Sequence, residues 1–316
     1  MRSAFRTPSH TGLAHHSEWA SVPDGWTVDE AGIGRAAATP LPSDVAAELD
    51  AFATACPDDG ALILRDVPVG ELPATPASPT ETIGKSYQSE FSLLSVACFL
   101  GEPVGYAPEH GGDLIQNIVP TRQASARQVS TSSKVALMFH TEAAFHPHRP
   151  RYLLLLCLRG DTAAHTTLAS IHHLLPHLPA GVADVLAQPR FRTAVDESYL
   201  HGRRNVLGEP MAVLTGDRAR PEMCFDADLM VGMDPEADEA LLALSAAVDE
   251  HHTSVPLAAG DLLVVDNRAA VHGRTPYEPR FDGTDRWLQR SFVVADLAAS
   301  AGDRTGRVIT TQFGQT

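Results

Sequence analysis

Two histidines and one glutamate, on separate segments of the chain, have the side chains to hold a metal ion. His140 and Glu142 are one residue apart and follow the strand-like apolar run 135–139. Alternate residues of a strand point to the same face, so this pair can reach one ion. The chain has 15 histidines, so a single His-x-Glu pair is weakly specific. A surface or core histidine beside an acid is the alternative interpretation.

A third ligand has to come from elsewhere in the chain, and His272 is the candidate. The apolar strand Leu262 to Val265 leads into residues 266–274, in which His272 follows Val271 and precedes Gly273. A barrel strand can return this histidine to the mouth that holds His140 and Glu142. Two histidines with one carboxylate form the ligand set of non-haem Fe(II) oxygenases, because the set leaves positions open for a cosubstrate and O2.

Two arginines lie in the apolar segment that follows. Arg286 and Arg290 are four residues apart, so both point to the same face of a strand. An inward arginine in an apolar strand is costly unless an anion pairs with it. The C5 carboxylate of 2-oxoglutarate would suit the guanidinium fork of Arg286. The alternative for Arg286 is a structural salt bridge with Asp282 or Asp285.

The elements that must position these residues are mainly strands with flanking helices. Helices are predicted over 43–55, over 80–100 as one long amphipathic helix, over 171–186 with proline breaks, and over 235–251. Strand-like runs bounded by Gly, Pro, Asp and Asn are predicted at 61–64, 114–119, 135–139, 152–158, 166–169, 212–215, 222–225, 262–265 and 287–294. This pattern predicts a jelly-roll, or double-stranded β-helix, core. Residues 1–30 are expected to be poorly ordered, and residues 31–316 to form one domain.

Composition restricts the class of partner. The chain has 24 Lys+Arg against 39 Asp+Glu, a net charge of -15, which argues against binding nucleic acids or anionic membranes. The scattered cysteines, the absence of a signal-peptide pattern and the lack of a long apolar stretch predict a cytoplasmic protein. The sequence leaves the oligomeric state open.

Longer stretches around these residues resemble a known family. They are residues 140–147, 152–159, 266–274 and 279–286, and they look like the clavaminate synthase-like Fe(II)/2-oxoglutarate oxygenases. Within that group the likeness is closest to hydroxylases of free arginine and lysine. The resemblance implies the cofactors Fe(II), 2-oxoglutarate and O2, with His140, Glu142 and His272 as iron ligands.

The resemblance also implies roles for residues around the iron. Arg286 matches the arginine that holds 2-oxoglutarate, and Thr167 matches a hydroxyl that assists it, with Thr166 as the substitute if the strand register differs. Arg290 matches the arginine that binds the substrate α-carboxylate. Asp196 and Ser198 resemble a segment that binds the amino-acid head group. Ser130 is a further candidate for contact with the side chain of the substrate.

Acidic residues direct the substrate prediction. Asp226 and Asp228, expected on one face of a short strand, resemble a pair that meets the substrate's distal cation. A turn or a helix start is the alternative for this pair. Glu109, in a Gly-rich loop, falls where the subgroup places a substrate-facing Gln or Glu. Buried carboxylates need a cation, so they favour a basic amino acid. Lysine leads because Glu109 replaces a neutral amide, and arginine or an arginine derivative follows.

Alternatives remain open at this point. An asparagine-type hydroxylase or a desaturase of the same family would use the same iron site. A Zn(II) hydrolase, or a non-catalytic metal-binding barrel, would use the ligands without 2-oxoglutarate. The hydrolase leaves Arg286 and Arg290 unexplained, and a non-catalytic barrel would not consume 2-oxoglutarate. The hydroxylase interpretation therefore predicts a pocket in which the metal ligands and both arginines lie together.

Overall fold

Two large β-sheets with helices on their outer sides form the centre of the fold, and two two-stranded sheets accompany them. The computed structural model describes residues 19–81 and 84–315. Its strands are β1 Ala61–Leu64, β2 Glu102–Tyr106, β3 Gln116–Ile118, β4 Leu137–His140, β5 Tyr152–Arg159, β6 His165–Ser170, β7 Phe191–Thr193, β8 Leu214–Asp217, β9 Arg220–Met223, β10 Met230–Gly232, β11 Thr253–Pro256, β12 Leu262–Asp266, β13 Ala270–Arg274, β14 Trp287–Val294, β15 Arg304–Thr305 and β16 Val308–Ile309. Its helices are α1 Glu30–Ala38, α2 Ser43–Ala55, α3 Gln88–Leu100, α4 Ile171–Leu174, α5 Val182–Leu186 and α6 Pro235–His251, with short 3-10 turns at His110–Gly112, Leu175–His177 and Glu197–Tyr199.

The larger sheet has eight strands, in the order β1-β12-β5-β14-β2-β16-β15, with β3 also paired to β14. The smaller sheet has the order β11-β6-β13-β4. This arrangement confirms the predicted jelly-roll class, mainly β with flanking helices. Among the residues that the structure describes, no helix is both long and apolar enough to cross a membrane.

The central strand β5 shows why the larger sheet has continuous apolar runs in its sequence. Leu154 and Leu156 pack toward the helices, whereas Leu153, Leu155 and Cys157 pack toward the interior of the jelly roll. A strand covered on both faces needs apolar residues at consecutive positions, not at alternate ones. The interior face that this strand shares with β14 forms one wall of the pocket that holds the predicted site residues.

The helix predicted over 80–100 begins at Gln88, and it is not amphipathic. Every residue from Ser89 to Ala97 is buried. The helix packs against α1 on one side and against β14 and β5 on the other. A helix that its neighbours enclose has no exposed polar face, so the expectation of an amphipathic helix is wrong.

The segment leading into α1 differs from the expected loosely ordered stretch that ran to residue 30. Trp26 is 2% exposed, and its ring lies edge-on to Phe91 at 5.5 Å. The indole N–H donates to the carbonyl of Gly32 at 2.8 Å. The expectation is therefore wrong for residues 19–30, and residues 1–18 lie outside the described part of the chain. That the remainder forms a single domain stays a prediction.

Candidate metal centre and substrate pocket

The three predicted metal ligands lie together where β4 and β13 pair. His140 is the last residue of β4, and its Cα partner across the sheet is His272 of β13. Their ring centroids are 4.3 Å apart. Potential ligand atoms of His140, Glu142 and His272 all lie within 4.8 Å of one another. Cross-strand pairing, rather than sequence proximity, brings the second histidine to the site.

Glu142 is oriented by a residue that sequence reasoning did not single out. The strand ends at His140, so alternation along β4 does not direct the glutamate as predicted. Instead, the Glu142 N–H donates to Asn267 Oδ1 at 2.7 Å, and Asn267 Nδ2 donates to the Glu142 carbonyl at 3.0 Å. Asn267 also donates to the Pro150 carbonyl at 2.9 Å. Its position at the end of the buried strand β12 was the only signal in the sequence.

The ligands have the protonation states that a divalent metal needs. The His140 Nδ1 lies 2.8 Å from the Met138 carbonyl, so an N–H there leaves Nε2 for the metal. Burial, followed by the nearby His140, lowers the pKa of His272 to about 4 and keeps it neutral. Burial opposes the charge on Glu142, but Arg290 and His272 outweigh it and lower its pKa. Within the described part of the chain, Glu142 Oε2 is buried without a hydrogen-bond partner and lies 3.5 Å from His272 Nε2, so the donor set fits Fe(II).

Arg286 is a buried guanidinium without an acidic partner among the described residues. It is 5% exposed, and its Nη2 donates to Thr166 Oγ1 at 3.4 Å. Both proposed salt-bridge partners are engaged elsewhere. Asp282 pairs with Arg280 at 3.3 Å, and Asp285 accepts from the Arg280 N–H at 2.7 Å. Burial lowers the pKa of Arg286, which makes an anionic ligand at this position favourable.

Thr166, and not Thr167, lies at this guanidinium. In the pairing of β6 with β13, Leu168 is opposite His272, Thr167 is opposite Gly273, and Thr166 is opposite Arg274. Alternate residues share a face, so Thr166 points with His272 into the pocket and Thr167 points to the other side. The assignment of Thr167 is therefore wrong by one residue, and the named substitute takes its place.

Arg290 lies between the metal ligands and a second buried acid. Its Nη2 donates to Glu109 Oε1, its Nε donates to Gln116 Oε1 at 3.0 Å, and its Nη1 is 3.6 Å from Glu142 Oε1. Burial opposes the charge of Arg290, but Glu109 and Glu142 outweigh it and raise the pKa of the guanidinium. The second oxygen of Glu109 accepts from the Tyr199 hydroxyl at 3.2 Å. Glu109 therefore lies beside the predicted carboxylate-binding arginine.

Asp226 and Asp228 line the pocket from a turn, and not from the predicted strand. Asp226 is 8% exposed and forms an isolated β-bridge with His140. Its Oδ1 accepts from the backbone N–H groups of Asp228 at 2.9 Å and Leu229 at 2.8 Å. Burial raises the pKa of Asp226, while His140 opposes that rise. The turn alternative describes the local structure correctly, and the side chains still border the cavity.

The remaining predicted residues border the same pocket at its rim. Asp196 Oδ1 accepts from the Ser198 N–H at 2.8 Å and from its hydroxyl at 2.6 Å, so these two side chains engage each other. Ser130 lies on the facing loop. An ion pair of 2.6 Å between Arg127 and Glu197 joins the two loops.

All these groups line one pocket of about 520 Å³. It contains every predicted site residue except Thr167, whose named substitute Thr166 lines it instead, and it adds Arg274, which the sequence analysis did not single out as a site residue. A volume of this size is within the range of small-molecule sites. The metal ligands, Arg286 and the acidic residues therefore face the same cavity.

The class of protein follows from this fold and this site. The family described as Taurine catabolism dioxygenase TauD, TfdA family matches residues 29–292. The chain belongs to this family.

Three individual relatives show which kinds of oxygenase the chain is similar to. The chain is 39% identical over 285 residues to an L-lysine 3-hydroxylase of Catenulispora acidiphila, covering 88% of this chain and 79% of that protein. It is 40% identical over 271 residues to an L-asparagine oxygenase of Streptomyces coelicolor, covering 83% and 79%. It is 34% identical over 312 residues to clavaminate synthase 2 of Streptomyces clavuligerus, covering 94% of both.

Solved structures show the same likeness. Asparagine oxygenase in complex with Fe(II), a hydroxyasparagine and succinate superposes with a TM-score of 0.84 at 36% identity, covering 90% of both proteins. The oxygenase OrfP with Fe and α-ketoglutaric acid gives a TM-score of 0.81 at 34% identity, covering 90% of this chain and 92% of that one. The predicted resemblance to the clavaminate synthase-like oxygenases is confirmed.

The chain is accordingly an Fe(II)/2-oxoglutarate-dependent oxygenase with O2 as co-substrate. The Zn(II) hydrolase and the non-catalytic barrel do not fit a family of oxygenases. The lysine and asparagine enzymes are almost equally similar to this chain, so the family alone does not select the amino acid.

Proposed function

We propose that this oxygenase hydroxylates an unactivated C–H bond in the side chain of a free basic L-amino acid. Lysine is the first candidate, followed by arginine or an arginine derivative. Fe(II) with 2-oxoglutarate supplies the oxidant, and O2 is consumed with release of succinate and CO2. The observation that carries the free amino acid is the buried Arg290–Glu109 pair, and the observation that carries the basic side chain is the buried Asp226 in the same pocket.

The cofactors would be held by residues on, or directly next to, the paired strands. His140, Glu142 and His272 would bind the iron, and Arg286 with Thr166 would hold the C5 carboxylate of 2-oxoglutarate. Arg286 suits this role because its guanidinium is buried and has no carboxylate in contact with it in the part of the sequence that is described, although Asp161 acts on it from a longer distance. A bidentate carboxylate would offset the cost of burying its charge.

The Arg290–Glu109 pair would bind the head group of the amino acid. A zwitterion places a carboxylate next to an ammonium, and the pair presents a guanidinium next to a carboxylate. Arg290 would take the α-carboxylate and Glu109 the α-ammonium, so each buried charge keeps an opposite neighbour. An acylated amine or an esterified carboxylate would leave one of the two charges unpaired, which is costly in a buried site. A free amino acid satisfies both.

The side chain of the substrate would lie among the acids on the other side of the pocket. Asp226 and Asp228 supply carboxylates there, while Asp196 and Ser198 with Ser130 border the rim. Burial of Asp226 next to the metal site makes a cationic partner favourable, because such a partner would stabilise its charged form. These residues support a basic side chain.

In the sequence analysis the preference for lysine depended on Glu109, and here it depends on other observations. Glu109 contacts Arg290 and so belongs to the head-group end, where it does not discriminate between lysine and arginine. The support that remains is the acidic turn at Asp226 and the 39% identity to an L-lysine 3-hydroxylase.

Asparagine is a second candidate, favoured by two observations. The relative that acts on asparagine is 40% identical to this protein, as similar as the lysine enzyme. One oxygen of Asp226 is already occupied by two backbone N–H groups, which lessens its demand for a cation.

A substrate panel tests the proposal. The purified protein with Fe(II), 2-oxoglutarate and O2 is incubated with each proteinogenic L-amino acid and with N-acetyl-lysine and lysine methyl ester. Succinate release is measured and products are analysed by mass spectrometry. We expect a gain of one oxygen atom with lysine and, more weakly, with arginine, and no turnover of the blocked derivatives. Turnover of asparagine alone would overturn the basic substrate, and loss of two hydrogens would indicate a desaturase.

Glu109→Gln tests the head-group assignment, with Glu239→Gln at an exposed position of α6 as its control. Removing one member of a buried charge pair should lower kcat/KM about 100-fold. We expect the loss to be equal for every accepted amino acid, because all share the α-ammonium. If the loss is confined to basic substrates, Glu109 binds the distal cation instead.

A further inference from the structure

A second buried arginine, Arg274, lies near Arg286 with only neutral hydrogen-bond partners among the described residues. It is the last residue of β13 and is 4% exposed. Its Nη1 donates to the Ser132 carbonyl, and its Nη2 donates to Ser132 Oγ at 3.0 Å and to the Val135 carbonyl at 2.9 Å. Its Nε is buried without a partner. The charge of this guanidinium is therefore not balanced by a contacting carboxylate in residues 19–81 and 84–315.

Thr166 connects the two arginines. Arg274 is directly opposite Thr166 in the pairing of β13 with β6, and Thr166 Oγ1 accepts from Arg286 Nη2 at 3.4 Å. Directly opposed residues of antiparallel strands have Cβ atoms about 5 Å apart. The Arg274 guanidinium also lies 5.0 Å from the centre of the Tyr277 ring. Two guanidinium groups thus share the end of the pocket that lies beyond the metal ligands.

We propose that Arg274 makes this end of the pocket selective for a 2-oxo dicarboxylate over a 2-oxo monocarboxylate. This rests on the placement of the C5 carboxylate at Arg286 under the proposed function. Its hydrogen bonds hold the loop that ends at β4, so Arg274 does not bind the cosubstrate directly. Its charge acts on the C5 carboxylate from a buried position, where electrostatic interactions are screened less than at the surface. A monocarboxylate leaves both buried guanidinium groups without an anion.

The charge and the loop-holding hydrogen bonds can be separated by substitution. Arg274→Lys keeps the charge but loses the forked contact with Ser132 and Val135. Arg274→Gln keeps an amide donor without the charge, and Arg274→Met has neither. Each variant, loaded with Fe(II) under anaerobic conditions, is titrated with 2-oxoglutarate and with 2-oxopentanoate, which replaces the C5 carboxylate with a methyl group. The visible charge-transfer band of the iron chelate and equilibrium dialysis report Kd without turnover.

We expect Arg274→Met and Arg274→Gln to raise the Kd for 2-oxoglutarate about tenfold, with the Kd for 2-oxopentanoate changed less than about threefold. Arg274→Lys should keep the ratio of the two constants near that of the unmodified protein. If the affinities for both ligands fall equally, Arg274 only anchors the loop before β4. If neither affinity changes, Arg274 has no role at the site. Both results overturn the proposal.

Two controls keep the outcome interpretable. Far-ultraviolet circular dichroism shows whether the Met variant folds, and if it does not, the Gln variant alone decides. Arg286→Met tests the premise. If that change leaves 2-oxoglutarate binding intact, the carboxylate is held elsewhere and the inference fails with it. The amino-acid substrate does not enter this assay, so a wrong substrate assignment leaves the result unaffected.

Discussion

The two halves of the pocket are built differently. On the metal and cosubstrate side, His140, His272, Thr166 and Arg274 are strand residues, and Arg286 immediately precedes β14. Cross-strand register fixes His140 opposite His272 and Thr166 opposite Arg274. A slip of one residue would turn every side chain of a strand to the other face, so these positions are strongly constrained.

On the substrate side, most of the side chains come from turns and loops. Glu109 precedes a turn in which His110, Gly111 and Gly112 all have positive φ, at 48°, 68° and 90°. Asp226 lies in a turn, and Asp196 caps a 3-10 helix of three residues. Loops tolerate sequence change better than paired strands do. Most of the residues proposed for the metal and the cosubstrate thus lie on paired strands, with Glu142 in the turn after β4, whereas most of those proposed for the substrate lie on segments that tolerate sequence change.

The largest expected effect comes from His272→Ala, which removes a metal ligand from the strand-borne half. A two-ligand site should lose iron, and activity should fall by more than about 100-fold, because even residues that only support a metal ligand cost 10- to 100-fold. Bound iron is measured by elemental analysis and by the charge-transfer band with 2-oxoglutarate. His173→Ala, at a half-exposed histidine paired with Asp59 at 3.6 Å, is the control. Full iron occupancy in the His272 variant would refute the ligand assignment.

Asn267→Ala should weaken iron binding without removing a ligand. Asn267 bonds both the N–H and the carbonyl of Glu142, so its loss frees the backbone that aims the carboxylate. A supporting residue of this kind is worth about 10- to 100-fold in metal affinity. Competition with a metal chelator measures the change, and Asn205→Ala on the substrate side is the comparison. An unchanged iron affinity would mean that Ala143, with its φ of 51°, and the turn hold Glu142 alone.

The strand-borne half could largely be predicted from the sequence. Apolar runs located β5, β12 and β14 within a residue or two, and the spacing of Arg286 and Arg290 placed both side chains in the pocket. The register of β6 could not be predicted, because Thr166 and Thr167 are identical in type and only pairing with β13 decides between them.

For the loop-borne half, the sequence predicted the identity of the residues but not their contacts. Glu109, Asp226 and Asp228 were identified from resemblance, but the partner of Glu109 and the turn around Asp226 depend on tertiary contacts. Asn267 and Arg274 were missed because hydrogen bonds to backbone carbonyls leave no pattern in one sequence. The conformation of residues 109–112 likewise follows from their fit against β2 and β16, where Gly112 leaves no room for a side chain beside Val308.

Asp226→Asn combined with Asp228→Asn tests the loop-borne half by itself. The asparagine at 226 keeps an oxygen for the two backbone N–H groups, so the turn should survive. We expect KM for a basic amino acid to rise about tenfold with iron and 2-oxoglutarate binding unchanged, because rim and turn charges act mainly on the substrate. Steady-state kinetics and the charge-transfer band measure the two effects. Loss of iron would show that Asp226 supports His140 instead, and Asp217→Asn at the exposed end of β8 is the control.

The smallest expected effect lies at the far edge of the substrate side, at Phe313. Its ring lies edge-on to Phe145 at 5.0 Å and 6.2 Å from Tyr199, whose hydroxyl donates to Glu109. The neighbouring Gln315 pairs through its backbone with Arg204.

Phe313→Ala removes one ring from the support of the Tyr199 segment while leaving every strand of the metal half intact. The loss of an aromatic contact should raise KM for the amino acid about threefold and leave the 2-oxoglutarate affinity unchanged. Phe99→Ala, at a ring 44% exposed on α3, is the matched control. If the affinities for the amino acid and for 2-oxoglutarate fall together, the segment around Phe313 supports the whole pocket. It then does not belong to the substrate side alone.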